Sequence, residues 1–231
     1  MPDALKPDTL RKSAVHVWRS TTGAFRPDDF LVLSPEERER AERFRFEEHS
    51  NAYAHSHAMM RRVLSRYVGI APHDLRFTQG PYGKRSLRDS EIRFNLSHSS
   101  NLVVVAVASC EVGVDVEYMR DDVDFLEIAK SFFSPREYAL VARAGAAIRQ
   151  TFYRIWTCKE AYMKARGMGF SLPPQAFDVC GESGPGVLNA EDQTGWSLSE
   201  IHCADEYAAA LAAEGATREL EIRDYSETGR V

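Results

Sequence analysis

The chain holds no apolar run long enough to cross a bilayer. Its longest, Leu102 to Ala108, is the length of a single strand, whereas a membrane helix needs about 20 such residues. Met1 to Thr9 is polar, carries two prolines and lacks the apolar centre of a secretory signal. Basic charge is not in excess: 29 Lys and Arg stand against 34 Asp and Glu, a net charge of -5. That balance disfavours a general nucleic-acid binder. Cysteine is scarce and scattered. Cys110, Cys158, Cys180 and Cys203 form neither a metal-type nor a redox pair, so reduced thiols in a reducing compartment are expected. No G-x-S-x-G elbow is present, which removes the commonest serine-hydrolase signature. These absences predict a soluble cytoplasmic protein with neither a nucleic-acid nor a membrane partner.

At 231 residues the chain can bury a substantial core. Val15 to Trp18 reads as a first strand, and Ser34-Pro35-Glu36-Glu37 as a capped helix start. A second helix is predicted over Asn51 to Tyr67, with Met59, Met60, Val63, Leu64 and Tyr67 as its buried stripe. Leu75 to Phe77 and Ile92 to Leu96 are strand-like, with Gly80-Pro81-Tyr82-Gly83 a loop between them. Leu102 to Ala108, apolar on both faces, reads as a central strand. The spacing predicts that it pairs antiparallel with Val112 to Tyr118 across the Cys110-Glu111 connection. A capped helix begins at Ser134, after the amphipathic segment Phe125 to Phe133. Strands return at Phe177 to Val179, Trp196 to Ile201, Tyr207 to Ala213 and Leu220 to Tyr225. The small-apolar strands Leu102 to Ala108 and Tyr207 to Ala213 echo one another. The expected class is α+β, with two similar pseudo-symmetric halves, 1-118 and 119-231, antiparallel sheets and a ligand cleft between the halves.

The chemistry concentrates in two motifs. In Gly113-Val114-Asp115-Val116-Glu117 the alternation puts Asp115 and Glu117 on one face of a strand. The segment Thr151 to Arg166 contains neither Gly nor Pro and stops at Gly167, so it reads as a helix. On it Trp156, Glu160 and Lys164 fall four apart and form a stripe, with Lys159 beside it. Mg²⁺ takes oxygen ligands, a few carboxylates and its own waters, and Asp115, Glu117 and Glu160 supply such a set. Lys164, one turn after Glu160, and Lys159 offer charge for a transferring phosphoryl group. In Phe94-Asn95-Leu96-Ser97-His98-Ser99, adjacent strand residues point apart, so a Ser-His catalytic pair is disfavoured. Ser97 and His98 read instead as hydrogen-bond donors to phosphate. His55 and His57 fall on different sides of a helix and do not suggest a metal site.

Together these motifs resemble the Sfp-type 4'-phosphopantetheinyl transferases. The likeness extends through Leu33-Ser34-Pro35-Glu36, Tyr82-Gly83-Lys84, Phe132-Phe133-Ser134 and Gly167 to Pro173, and spans Leu33 to Val179. It implies transfer of the phosphopantetheine arm of coenzyme A (CoA) to a serine of an apo carrier protein, releasing adenosine 3',5'-bisphosphate. A chain already containing two halves could complete its cleft alone, so a monomer is expected. By position, Asp115, Glu117 and Glu160 would hold Mg²⁺ against the CoA pyrophosphate. Lys164 would contact that pyrophosphate, and Ser97, His98 and Lys84 the nucleotide end, with Arg40 and Lys159 as further CoA-binding cations. Glu160 would assist deprotonation of the serine, which makes Glu160 and Lys164 the catalytic pair. Phe125 to Tyr138 corresponds to the family's carrier-docking surface. The chain departs from the family pattern at Arg85, often proline, at Glu37, a lysine position with Arg40 nearby, and near Ala52, where a basic residue is usual. Two other readings stand beside the transferase: a non-catalytic carrier-protein or CoA-binding module, and a Mg²⁺-dependent phosphohydrolase.

Overall fold

The computed structural model of the chain describes residues 8–181, 184–188, 195–216 and 219–226. Eleven strands and six α-helices appear among them. They run β1 (Ala14–Thr21), α1 (Asp29–Val32), α2 (Pro35–Glu42), α3 (Glu47–Val68), β2 (Phe77–Gln79), β3 (Arg85–Leu87), β4 (Arg93–Ser99), β5 (Leu102–Ala108) and β6 (Val112–Tyr118). Then follow α4 (Phe125–Phe132), α5 (Pro135–Arg143), α6 (Ile148–Arg166), β7 (Asp178–Gly181), β8 (Gly184–Leu188), β9 (Trp196–Glu200), β10 (Tyr207–Glu214) and β11 (Glu219–Asp224). The class is α+β. Two sheets dominate, one in the order β11-β1-β5-β4 and one in the order β6-β10-β9. Every pairing in them is antiparallel except β1 with β11, which are parallel with Ala14 opposite Glu219.

Side-chain alternation stacks these elements in layers. Val103, Val105 and Val107 of β5 pack with Met59, Met60, Val63 and Leu64 of α3. Val104, Ala106 and Ala108 face the other way, against Val112, Val114 and Val116 of β6 and Leu211 of β10. Ala210 and Ala212 of β10 then meet Ile155, Ala161 and Ala165 of α6. The order is helix, sheet, sheet, helix. A strand between two such layers has no polar face, and all seven residues of β5 are buried.

The expected β5-β6 hairpin does not form. β5 pairs with β1 and β4, and β6 crosses to the second sheet and pairs with β10. An apolar pattern reports that a strand is buried, and a neighbouring layer satisfies it as well as a hydrogen-bonded partner does. β6, on the N-terminal side of residue 118, belongs to the second sheet, while β11 returns to the first.

Several local expectations hold. Ser34 and Ser134 each make a capping box, with Glu37 and Glu137 as the reciprocal acids. Gly167 ends α6 in the left-handed conformation at φ 62°. β8 is an element that the sequence reading missed. Buried polar groups tie the helices to the sheet. His55 of α3 bridges Ser20 at 3.2 Å and Asp29 at 3.0 Å, and Arg62 closes on the other oxygen of Asp29. His55 and Asp29 are both buried, so this arrangement braces β1, α1 and α3 against one another. No helix among the described residues is long and apolar enough to cross a membrane. Cys158, Cys180 and Cys203 are free thiols.

Candidate active site

Gly113 lets the two motifs meet. A Cβ placed on it would lie 2.1 Å from the backbone oxygen of Ala161 and 2.3 Å from the backbone nitrogen of Ala165. No side chain fits there, so β6 and α6 approach along their backbones. This close packing carries the acids of β6 up to the stripe on α6.

Lys164 Nζ donates to Asp115 Oδ1 at 2.6 Å and to Ser97 Oγ at 3.0 Å. Ser97 donates to the same carboxylate oxygen at 3.0 Å, and Ser99 donates to Glu117 Oε2 at 2.8 Å. Asp115 and Glu117 therefore do share a face, as the alternation predicts. Their orientation comes from β4, through an arrangement the sequence reading did not find. Asn95 Oδ1, Ser97 Oγ and Ser99 Oγ accept hydrogen bonds from the backbone N–H groups of Val114, Val116 and Tyr118 at 2.9, 3.3 and 3.1 Å. Every second side chain of β4 thus pairs with every second amide of β6. The signal was three small polar residues, Asn95, Ser97 and Ser99, at period two along the strand.

Burial pushes the carboxyls of Asp115, Glu117 and Glu160 above their ordinary values. Asp115 raises the other two further by repulsion, while Lys164 pulls all three back. Asp115 Oδ2 is buried without a hydrogen-bond partner. As the side chains stand, no group of three His, Cys, Asp or Glu among the described residues is close enough to hold a metal ion. The donor chemistry still fits a hard cation. Three mutually repelling carboxylates, one with an orphaned oxygen, are costly until a positive charge arrives, and Mg²⁺ reaches distant carboxylates through its own waters.

Beside this cluster a cavity of about 340 Å³ opens, with Glu160, Met163 and Lys164 of α6 on one side and His57 and Met60 of α3 on another. The β2–β3 turn, Tyr82 to Lys84, and Arg85 of β3 also line it, together with Phe94 to Leu96 of β4. Burial pushes the His57 imidazole down to about 4. His98 is exposed, yet neighbouring atoms and the Lys164 charge hold its imidazole below the ordinary value.

Three of the expected site residues are engaged by protein groups. Lys159, 2% exposed, donates to the backbone oxygens of Pro174 and Phe177 at 2.7 and 2.6 Å and pairs with Glu137 at 2.7 Å. Glu137 also accepts from the Val179 amide. Lys159 therefore pins α5, α6 and the segment before β7 together, and its ammonium is not presented to a ligand. Lys84 lines the cavity, but its ammonium is spent on Glu111 at 2.6 Å, on the Val112 oxygen at 3.2 Å and on the Ala165 oxygen. That leaves its alkyl stem facing the space. The Ser97 hydroxyl is likewise committed, donating to Asp115 while it accepts from Lys164 and Val116. In each case a polar group near a charge found a protein partner that spacing along the chain does not reveal. Arg40 is exposed on α2, 5.6 Å above the Tyr53 ring. Trp156 packs on Phe132 and Phe152 and supports Glu117.

Comparison with known proteins identifies the fold's lineage. Residues 17–110 match the family model "4'-phosphopantetheinyl transferase, N-terminal", and residues 111–212 match "4'-phosphopantetheinyl transferase superfamily". The chain is 36% identical over 218 residues to the 4'-phosphopantetheinyl transferase HetI of Nostoc sp., covering 90% of each chain. The chain belongs to the 4'-phosphopantetheinyl transferase superfamily. Among its relatives, Sfp of Bacillus subtilis is 37% identical over 149 residues, which is 64% of this chain and 66% of that one. Psf-1 of Bacillus pumilus is 29% identical over 196 residues, covering 82% and 83%. In this phosphopantetheinyl transferase the two matched segments meet at residues 110 and 111, where the chain passes from the first sheet to the second.

Proposed function

We propose that this enzyme transfers the 4'-phosphopantetheine arm of CoA to a serine of an apo acyl or peptidyl carrier protein, releasing adenosine 3',5'-bisphosphate. One observation carries the reading: Lys164 forms a single charged node with Asp115 and Ser97 and, together with Glu160, lines a cavity of about 340 Å³. Asp115, Glu117 and Glu160 would hold Mg²⁺, which when bound supplies positive charge to the pyrophosphate oxygens. The serine oxygen forms a bond to the pantetheine-side phosphorus, and the bond from that phosphorus to the bridging oxygen of the pyrophosphate breaks. Lys164 stands to offset charge growing on the leaving phosphate. Glu160, its carboxyl raised by burial and repulsion, is placed to take the serine proton. Ser97 and Ser99 keep the acids aimed and tie β4 to β6, so little reorganisation is left for the reaction.

The equivalent positions of β5 and β10, each a small-apolar strand between two antiparallel neighbours in its own sheet, support two pseudo-symmetric halves with CoA in the cleft between them. A chain holding both halves would work as a monomer, and its thiols suit the cytoplasm. The exposed Leu126 and Leu140 support a carrier-docking role for the α4–α5 segment.

Incubation with CoA, Mg²⁺ and an apo carrier protein, followed by mass spectrometry of the carrier, tests the reading. Gain of one phosphopantetheine is expected. CoA cleavage without gain would select a phosphohydrolase, and no reaction a binding module.

Lys164→Ala is expected to lower kcat about 100-fold while KM for CoA changes only a few-fold, because its contact strengthens as charge develops. Equal effects on both, from steady-state kinetics, would assign plain ground-state binding.

Cation binding has a pH signature. The three acids have raised values in the fold, so the folded protein holds their protons more tightly than the unfolded chain does. Without metal, their own contribution to stability is greatest below the ordinary carboxylate range and is lost as pH rises through the raised values. At pH 7.5, Mg²⁺ at 100 times its Kd should return about 2.7 kcal/mol, a Tm rise of about 5–10 °C. At pH 4 the rise should vanish, because protonated acids have no charge to share. A Tm shift independent of pH in calorimetry would remove the cation from these residues.

A further inference from the structure

Besides its pyrophosphate, CoA carries a phosphate on the ribose 3' oxygen, and a phosphate dianion needs a cation with donors to spare. Three charged cations line the cavity: Lys84, Arg85 and Lys164. Lys84 spends its three N–H donors on Glu111 and two backbone oxygens, and Lys164, with two of its three on Asp115 and Ser97, is the cation already assigned to the pyrophosphate. Arg85 is different. It meets Glu37 Oε1 at 2.7 Å as an ion pair, but that oxygen makes no hydrogen bond. A guanidinium carries five N–H donors in a fixed fork, a geometry matched to phosphate.

The fork is also held in place. Its carbon lies 4.3 Å over the Phe77 ring, and its carboxylate partner Glu37 is buried. Glu37 is anchored in turn by Arg61 Nε at 2.6 Å and by the Ser34 amide at 3.0 Å. One carboxylate faces two guanidinium groups, so the cluster keeps a net positive charge at the cavity wall. His57, on the same side, is kept neutral by burial and adds no competing cation. Arg85 belongs to the α2–α3 side of the cavity, whereas Glu160 and Lys164 belong to the α6 side. A nucleotide with its pyrophosphate at Lys164 would pass the apolar walls of Met60, Leu96 and Tyr82 on the way to Arg85.

We infer that Arg85, positioned by Glu37 and Phe77, grips the 3'-phosphate of CoA and so distinguishes CoA from 3'-dephospho-CoA. The inference rests on the transferase reading above. Arg61, 1% exposed and bound to the Pro72 and Leu75 oxygens, takes no part in the contact itself.

Both donors carry the same transferable arm, so transfer kinetics with each isolate the 3'-phosphate. The wild-type protein is expected to prefer CoA by about 10- to 100-fold in kcat/KM, the range of a charge-assisted hydrogen-bonded pair. Arg85→Met keeps the apolar stem over Phe77 and removes the charge. It should erase that preference by raising KM for CoA, with kinetics on 3'-dephospho-CoA within about twofold of wild type. Arg85→Lys should restore part of the preference. Equal losses on both donors, or an unchanged CoA KM in Arg85→Met, would overturn the assignment.

Calorimetric titration with adenosine 3',5'-bisphosphate and with adenosine 5'-monophosphate gives a readout that does not require turnover. A wild-type preference for the bisphosphate that disappears in Arg85→Met supports the assignment, and a preference that survives in both variants refutes it. Failure of transfer with intact bisphosphate binding would refute the transferase reading and leave Arg85 in its role.

Discussion

Asp115→Asn is expected to raise the melting temperature of the metal-free protein while reducing transfer by about 1000-fold or more. The two effects share one cause. Asp115 is buried, one of its carboxylate oxygens has no hydrogen-bond partner, and burial outweighs Lys164 and Ser97 in setting its pKa. An ionised carboxylate there is therefore a standing cost to the fold. The amide fills the same volume without that cost, and Lys164, 30% exposed, can turn to water for what it loses. A gain of about 1 kcal/mol is the scale for relieving such a functional charge. Activity moves the other way because the amide offers a cation no anionic oxygen. Melting in EDTA together with mass-spectrometric transfer checks both halves. A variant that is destabilised by more than about 2 kcal/mol, or that turns over normally, would refute this account of the acids.

Gly113→Ala should have the largest effect on the fold. Its new methyl would stand 2.1 Å from one backbone atom of α6 and 2.3 Å from another, and backbone cannot rotate away as a side chain can. Either β6 or α6 must shift. Overpacking usually costs about 1–3 kcal/mol and more where nothing yields, so about 4 kcal/mol is expected here. In a chain of this size that lowers Tm by about 8–16 °C. Transfer by the molecules that remain folded should drop about 100-fold, since a displacement near 1 Å is enough to spoil positioning. Gly23→Ala is the control: nothing lies within 4 Å of its Cβ position, so melting should be unchanged. Equal behaviour of the two variants would show that the β6–α6 contact does not seat the site.

Much of this site was readable along the chain, though unevenly. The alternation in Val112 to Glu117 put Asp115 and Glu117 together, and fourfold spacing put Glu160 and Lys164 on one helical stripe, because both periods are properties of the backbone. Gly113, between the valines, has a reason that exists only where α6 lies against it. The partners of Lys159 and Lys84 were hidden for a related cause. A lysine beside an acidic stripe has the same sequence signature whether its ammonium meets a ligand or a carbonyl, and here the carbonyls of Pro174, Phe177, Val112 and Ala165 decided. Asn95 and Ser99 accept from amides of β6 and so replace a missing strand partner, which no spacing within β4 reveals.

Local rules fixed in advance the helices, their caps, the buried strands and the chemical kind of the site, since each depends on residues within a few positions of one another. Which sheet β6 joins, which cations keep their donors for a ligand and where Arg85 is held all depend on groups far apart in sequence. Only when sheet stacks on sheet and α6 closes over Gly113 do those groups come within a hydrogen bond's length, and only then is their partnership decided.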